Sequence, residues 1–282
     1  MSIELVTKFL PYVDEKFSKE SKIGLLTNQD FSFIGANVIK VYKVSTAAMN
    51  DYIRHPVENY EKSRYGTPEG LDATTESFMI TRDRSFTFVI DKLDTDETAQ
   101  QLEAAKCLNR QLAEVVIPEV DTWTYSKMIS GAGYKPEPVE LTPQNIYTEI
   151  IKAGEALDDA DAPESERVLT VTPTIYRLMK QCKDITMETD IGNDMRIRGV
   201  IGNLDGAQVI KTPAKRLPEN FGFMLSHRCA TVAPTKLADY KIHQDPPGIS
   251  GSLTEGRIVY DAFVLENKKN AIYYQENKPA TT

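Results

Sequence analysis

Apolar positions along the chain change their spacing several times, and each change predicts an element. Leu5, Phe9, Leu10, Val13 and Phe17 recur at spacings of four, one, three and four, which predicts a short amphipathic helix. From Phe31 to Val44 the pattern becomes dense in β-branched and aromatic groups (Val38, Ile39, Val41, Tyr42, Val44) and predicts a strand. Residues 50–77 then hold few aliphatic side chains, many charges, and Gly66, Pro68 and Gly70. That stretch far exceeds the roughly 4–6 residues of an ordinary connection. Phe78 to Asp91 returns as a strand, with Phe86, Phe88 and Ile90 on one face and Thr87 and Val89 on the other. Two strands joined by a long polar excursion predict an extended arm, and two strands alone are marginal in water. Support from another molecule is expected. Tyr52, Tyr60, Arg64, Tyr65 and Glu69 are the candidate contact residues, the tyrosines because that side chain is enriched at interfaces.

Asp94, with Glu97 three residues on, reads as a capping box. Leu102, Ala105, Leu108, Leu112 and Val115 follow on one stripe, and Pro118 marks the expected end of the helix. About 23 residues at ~1.5 Å rise make a rod of roughly 35 Å. Thr142-Pro143 and Thr172-Pro173 each place a capping hydroxyl before a proline, and predict helices through Ile146–Leu157 and Ile175–Cys182. The acidic run at Asp158, Asp159 and Asp161 ends the first of them. Val168–Val171, Gly206–Ile210, Phe221–Ser226 and Thr231–Pro234 read as short strands, and residues 185–200 as a loop. In Leu237–Tyr274 a strand is followed by the bend Gln244-Asp245-Pro246-Pro247-Gly248, a run from Arg257 to Leu265, a polar turn and a last strand at Ala271–Tyr274. Both prolines fix their own φ, and Gly248 is free to take φ > 0.

The 282 residues allow one large domain or two modest ones, with ordinary hydrophobic (41%) and charged (26%) shares. A net charge of −8 argues against a general nucleic-acid binder, which carries a basic face. No apolar run reaches the length of a membrane span, and the N-terminal residues do not read as a secretory signal. Cys107, Cys182 and Cys229 are widely spaced and predicted to be free thiols.

Catalytic patterns are sparse. There is no G-x-x-x-x-G-K-[ST] loop, no C-x-x-C and no H-E-x-x-H. Gly131-Ala132-Gly133 reads as a helix exit, and Gly248-Ile249-Ser250-Gly251 has the wrong spacing for a nucleophile elbow. The best hydrolase the residues allow would bring His227 or His243 to Asp245, near Cys229 or Ser250. The simpler expectation is that each histidine packs at a strand end. Asp158, Asp159, Asp161, Glu164 and Glu166 lack the spacing of a calcium loop and read as a solvated acidic turn. No catalytic, cofactor or metal residue is assigned.

Four blocks carry a resemblance. They are Phe88–Asp94, Ile117–Asp121, Val171–Tyr176 and Leu237–Tyr274, and together they resemble the coat proteins of tailed phages, the Hong Kong 97 capsid family. The resemblance implies an α+β Hong Kong 97-type capsid fold. Its expected parts are an N-arm (residues 1–30), an extended two-stranded E-loop with flanking strands (31–91) and a long spine helix (92–135). A mixed α/β A domain (136–233) and antiparallel P-domain strands with a tail (234–282) complete it. It further implies a non-enzymatic major capsid protein, without cofactors, that assembles through hexamers and pentamers into an icosahedral shell around double-stranded DNA. Expected partners are further copies of the chain, a separate scaffolding protein (the chain starts almost at the arm) and a portal. DNA would be enclosed without sequence-specific binding, no membrane would be engaged, and the virion capsid would be assembled in the host bacterial cytoplasm. An acidic chain without a large basic patch would let packaged DNA slide. The alternatives are an encapsulin-type nanocompartment shell and, from another class, a soluble α/β hydrolase.

Overall fold

In the computed structural model, which describes residues 21–28, 38–44, 46–54, 64–65, 70–71, 73–97, 103–183, 185 and 200–278, residues 34–80 form a unit of their own. Strands β1 (Val38–Val44) and β2 (Ala73–Met79) pair antiparallel there, from Val38 opposite Met79 to Val44 opposite Ala73. The returning strand therefore lies largely inside the stretch read as polar excursion. Alternation gave no signal for it because a two-stranded ribbon has no core face to specify. The helix expected at Leu5–Phe17 lies outside the described residues.

The second unit begins at Thr81 and includes the N-terminal residues. In chain order it holds β3 (Arg82–Asp91), α1 (Lys92–Glu97), α2 (Ala104–Gln111), a π-helical turn (Leu112–Val116) and α3 (Ile117–Gly131). Next come α4 (Ile146–Asp159), β4 (Arg167–Val171), α5 (Pro173–Gln181), β5 (Val200–Leu204), β6 (Ala207–Lys211) and β7 (Phe221–His227). β8 (Thr231–Val232), β9 (Thr235–Gln244), β10 (Gly251–Tyr260), β11 (Phe263–Val264) and β12 (Ile272–Glu276) complete it. β3, β10 and β9 make an antiparallel sheet in that order, and β8 pairs with β11. The five-stranded sheet runs β12-β7-β4-β6-β5, with β4 and β6 parallel and the other neighbours antiparallel. Residues 271–274 were expected beside the C-terminal strands; instead β12 pairs with β7 in the five-stranded sheet, where Ile272, Tyr273 and Tyr274 are buried from both faces.

α2, the π turn and α3 run on as one helix over residues 104–131, and this corrects three expectations. The cap lies earlier than Asp94: Asp91 Oδ1 accepts from Leu93 N–H at 2.9 Å, so the first short helix starts at Lys92. Pro118 does not end the helix. A proline ring needs room in the turn before it, and the π turn, closed by Ile117 N–H on Leu112 O, widens that turn. The extra residue in that turn also shifts the stripe, so Val116 is buried and Val115 is 46% exposed. Leu108, Leu112, Val116 and Val120 pack with Tyr240, Ile258 and Tyr260 of the three-stranded sheet. Farther along, Tyr125 and Met128 pack with Val168, Ile210, Met224, Ile272 and Tyr274 on one face of the five-stranded sheet. α4 and α5 cover its other face through Ile146, Ile150, Leu157, Ile175 and Met179. Full burial of such side chains stabilises by ~1.5–3 kcal/mol each, so one helix is committed to two cores.

Local signals fared unevenly. Thr172 Oγ1 accepts from Ile175 N–H and Pro173 opens α5, as read. At Thr142-Pro143 the chain makes a turn first, Asn145 Oδ1 accepting from Thr142 N–H at 2.7 Å, and α4 starts only at Ile146. The bend after β9 closes through Asp245 N–H on Gly251 O (2.7 Å) and Gly251 N–H on Asp245 Oδ1 (3.0 Å), with Gly248 at φ +87°. β10 starts at Gly251, six residues before the expected run, because Thr254 and Gly256 pack inward where the sequence shows no apolar alternation.

Candidate assembly surface

The arm's far end is built from residues the sequence singled out. Ile53 N–H donates to Arg64 O at 3.1 Å, bringing the two limbs together beyond β1 and β2. Tyr52 and Tyr65 meet edge to face there, with ring centroids 5.0 Å apart. Both rings stay open to solvent, Tyr65 at 78%, as do Met49, Leu71 and Met79 of the same unit. Arg64 is exposed. Tyr60 and Glu69 lie outside the described residues. Exposed apolar side chains that group, as Tyr52 and Tyr65 do, mark contact surfaces.

Thr81, the first residue of the second unit after the arm in sequence, is fastened by one carboxylate. Asp261, 2% exposed, accepts from Thr81 N–H (2.9 Å), Thr81 Oγ1 (2.8 Å), Trp123 Nε1 (2.8 Å) and Ala262 N–H (2.8 Å). Burial alone would raise its pKa, but the bonds from Trp123, Thr81 and Ala262 outweigh burial and hold it below the ordinary carboxylate value. The Trp123 ring in turn lies 3.7 Å from the Arg82 guanidinium and 4.8 Å from the Lys127 ammonium, both in cation–π contact. Beside it Glu119 takes Arg84 Nε at 2.7 Å and Tyr260 OH at 3.3 Å. Burial first, then the Glu119 charge, pushes the Tyr260 hydroxyl up to about 12. Nothing in the sequence singled out Asp261. Its partners lie far away in the chain, and the spacing of one carboxylate carries no signal.

A second carboxylate holds Ser21. Asp121, 1% exposed, takes Arg216 Nη1 at 2.6 Å and Ser21 Oγ at 2.8 Å. Burial raises its pKa despite those partners. Lys22 donates to Lys211 O next to it.

The hydrolase candidates stay apart. His227 lies in the five-stranded sheet and His243 in the three-stranded one. His227 Nδ1 accepts from Cys229 backbone N–H at 3.1 Å, and burial pushes the imidazole down and the Cys229 thiol up, away from the imidazolium–thiolate form. His243 Nε2 faces Glu255 at 3.3 Å, while Asp245 is spent on the bend. In the acidic turn Asp158 pairs with Arg167 at 2.7 Å and Glu166 with Arg228 at 2.8 Å. Among the described residues no three His, Cys, Asp or Glu converge on a point where a metal would sit. Among them, too, no helix is long and apolar enough to cross a membrane.

No protein-family model matches the sequence, and no curated protein does. Solved structures do. The capsid structure of cyanophage P-SCSP1u superposes with a TM-score of 0.67 at 13% identity, over 90% of this chain and 86% of that one. A chain of Mycobacterium phage Che8 gives 0.65 at 19% identity, over 85% and 84%. This is the Hong Kong 97 capsid fold. A virus-like particle from Pyrococcus furiosus also matches, at TM-score 0.58 and 12% identity, over 97% of this chain and all of that one. In the terms of the Hong Kong 97 fold, the β1–β2 arm takes the place in chain order expected of the E-loop, and residues 104–131 that expected of the spine helix. The five-stranded sheet with α4 and α5 stands where the mixed A domain is expected, and β3, β10 and β9 where the P-domain strands are.

Proposed function

We propose that this chain is the major capsid protein of a tailed bacteriophage. It assembles through hexamers and pentamers into an icosahedral shell around packaged double-stranded DNA. One observation carries the reading: a Hong Kong 97 fold whose E-loop forms its own unit and presents Met49, Tyr52, Tyr65, Leu71 and Met79 to solvent. In this reading those residues, with Tyr60, Arg64 and Glu69, lie across a neighbouring subunit. Contact with the neighbour then stabilises a ribbon that is marginal alone. Function resides in interfaces and no catalytic step is assigned. Many modest contacts repeated around a closed shell hold the particle, while each stays weak enough to reverse during assembly. The expected boundaries are those of the sequence reading, with β12 moved to the A domain. A separate scaffolding protein, a portal and assembly in the host cytoplasm belong to the same proposal.

Deleting residues 60–72 tests it. The expected product is a folded, soluble subunit that forms no closed shells by negative-stain electron microscopy; normal shells from the deletion would refute the role of the arm. The second reading, a nanocompartment shell, draws on the likeness to the Pyrococcus particle. Particles purified from the native source separate the two: nuclease-protected genomic DNA supports the phage shell, and an enclosed protein cargo supports the compartment.

A further inference from the structure

The A-domain sheet carries opposite charge at the two ends of its parallel pair, and the two ends differ in shape. At one end Lys211 closes the β4–β6 pairing opposite Val171. Its ammonium lies 5.5 Å from the centre of the half-buried Tyr176 ring, and that of Lys180, a turn along α5, lies 5.7 Å from the same ring. Residues 172–183 and 211–218 meet here and contain no Asp or Glu, while contributing Arg177, Lys180, Lys183, Lys211 and Lys215; Arg216, in the same stretch, is taken by Asp121. The net charge of −8 conceals this patch. Several exposed cations elsewhere find carboxylates, as Arg84 finds Glu119 and Arg257 finds Asp83. Among the described residues, Lys180 and Lys211 have the tyrosine ring instead.

The other end is concave. Past Val168 and Gln208, between α4 and the β5–β6 turn, lies a cavity of about 480 Å³ floored by Ile150, Ile151 and Leu204. Ile151 is 48% exposed. Exposed carboxylates of Glu155, Asp159 and Asp205 rim it, and Asp158 beside them is held by Arg167.

We propose that the Tyr176 edge of one copy seats in the carboxylate-rimmed groove of a second copy, a contact that rests on the shell-subunit reading above. The ring and the lysine stems would cover the apolar floor, and the ammonium groups would meet the rim. A nucleic-acid phosphate could satisfy the lysines but would leave Ile151 uncovered, so a second copy fits more of what is seen. Because the joined patches are different, the contact is heterologous, the kind that closes into a ring when the rotation allows.

Charge exchange tests this. K180E/K211E and E155K/D159K are each expected to lower assembled species at least ~10-fold in size-exclusion chromatography with light scattering, with circular dichroism unchanged. The quadruple variant, in which both sides are reversed, is expected to assemble again. Folded double variants that assemble like the wild type, or a folded quadruple variant that does not recover, overturn the contact. A basic-edge variant that forms normal shells but retains less DNA also overturns it, by making nucleic acid the occupant. Wild-type shells with indifferent variants sink this contact alone; a wild-type chain that stays monomeric at every concentration sinks the shell reading with it.

Discussion

Replacing Asp261 should unfasten Thr81 and Trp123, and the cost follows from its four hydrogen bonds. Alanine leaves Thr81 N–H, Trp123 Nε1 and Ala262 N–H without their acceptor, in a site where the carboxylate was 2% exposed. A buried donor left unpaired costs ~1–3 kcal/mol, and water admitted by the smaller side chain recovers part of it, so D261A should cost about 3–5 kcal/mol. Asparagine keeps an oxygen for Trp123 and Ala262 but turns an NH2 group toward Thr81 N–H; about 2 kcal/mol is expected. Acid should erase the difference. The Asp261 carboxyl is held below its ordinary value, so its contribution is complete above the unfolded pKa of about 3.9 and is lost as pH falls through the lower folded value. Urea unfolding of the unassembled subunit is the assay. Trp123 is the chain's single tryptophan, and its fluorescence reports from the site itself. A D261A variant within about 0.5 kcal/mol of wild type, or a D261N penalty that persists unchanged to pH 3, would refute the reasoning.

Two further substitutions probe the fold. The π turn places neighbouring valines on opposite sides, so V115D should change stability by less than about 0.5 kcal/mol and V116D should cost at least ~3 kcal/mol in the same urea assay. Equal effects would mean that the turn is α-helical in solution. At Gly251, φ is +143° and an added Cβ would lie 2.1 Å from Ile90 O, so G251A should lower stability by about 3 kcal/mol and the melting temperature by several degrees. A G251A melting curve overlapping that of wild type would show that the β3–β10 start yields freely.

Legibility in the sequence tracked how local each cause was. The Thr172-Pro173 helix start, the Pro246-Pro247-Gly248 bend and the all-buried Val168–Val171 strand depend on neighbouring residues, and were readable. β2 was hidden because its Ala73-Thr74-Thr75-Glu76-Ser77 run carries no apolar alternation. Pro118 misled because its ring is accommodated by a π turn whose existence leaves no mark in composition, and the same turn moved the buried position from Val115 to Val116. At the candidate surface, Tyr52 and Tyr65 were legible as aromatic groups in a polar stretch. Asp261 was not, since its partners sit at positions 81 and 123. The basic edge stayed invisible to net charge because its two acid-free segments come together only when β4 and β6 pair.

The spine helix, shared by two cores, also sets a schedule for synthesis. About 150 residues separate Leu112 from Tyr260, its partner in the P-domain sheet, and β12 under Tyr125 emerges later still. At typical ribosomal rates the apolar stripe of the helix waits roughly 7–30 s for the strands that will cover it. A chain still on the ribosome thus has its arm and its spine but neither finished core. Until then the stripe is exposed, and an exposed apolar stripe on an unfinished chain is the surface that aggregates or that a chaperone covers.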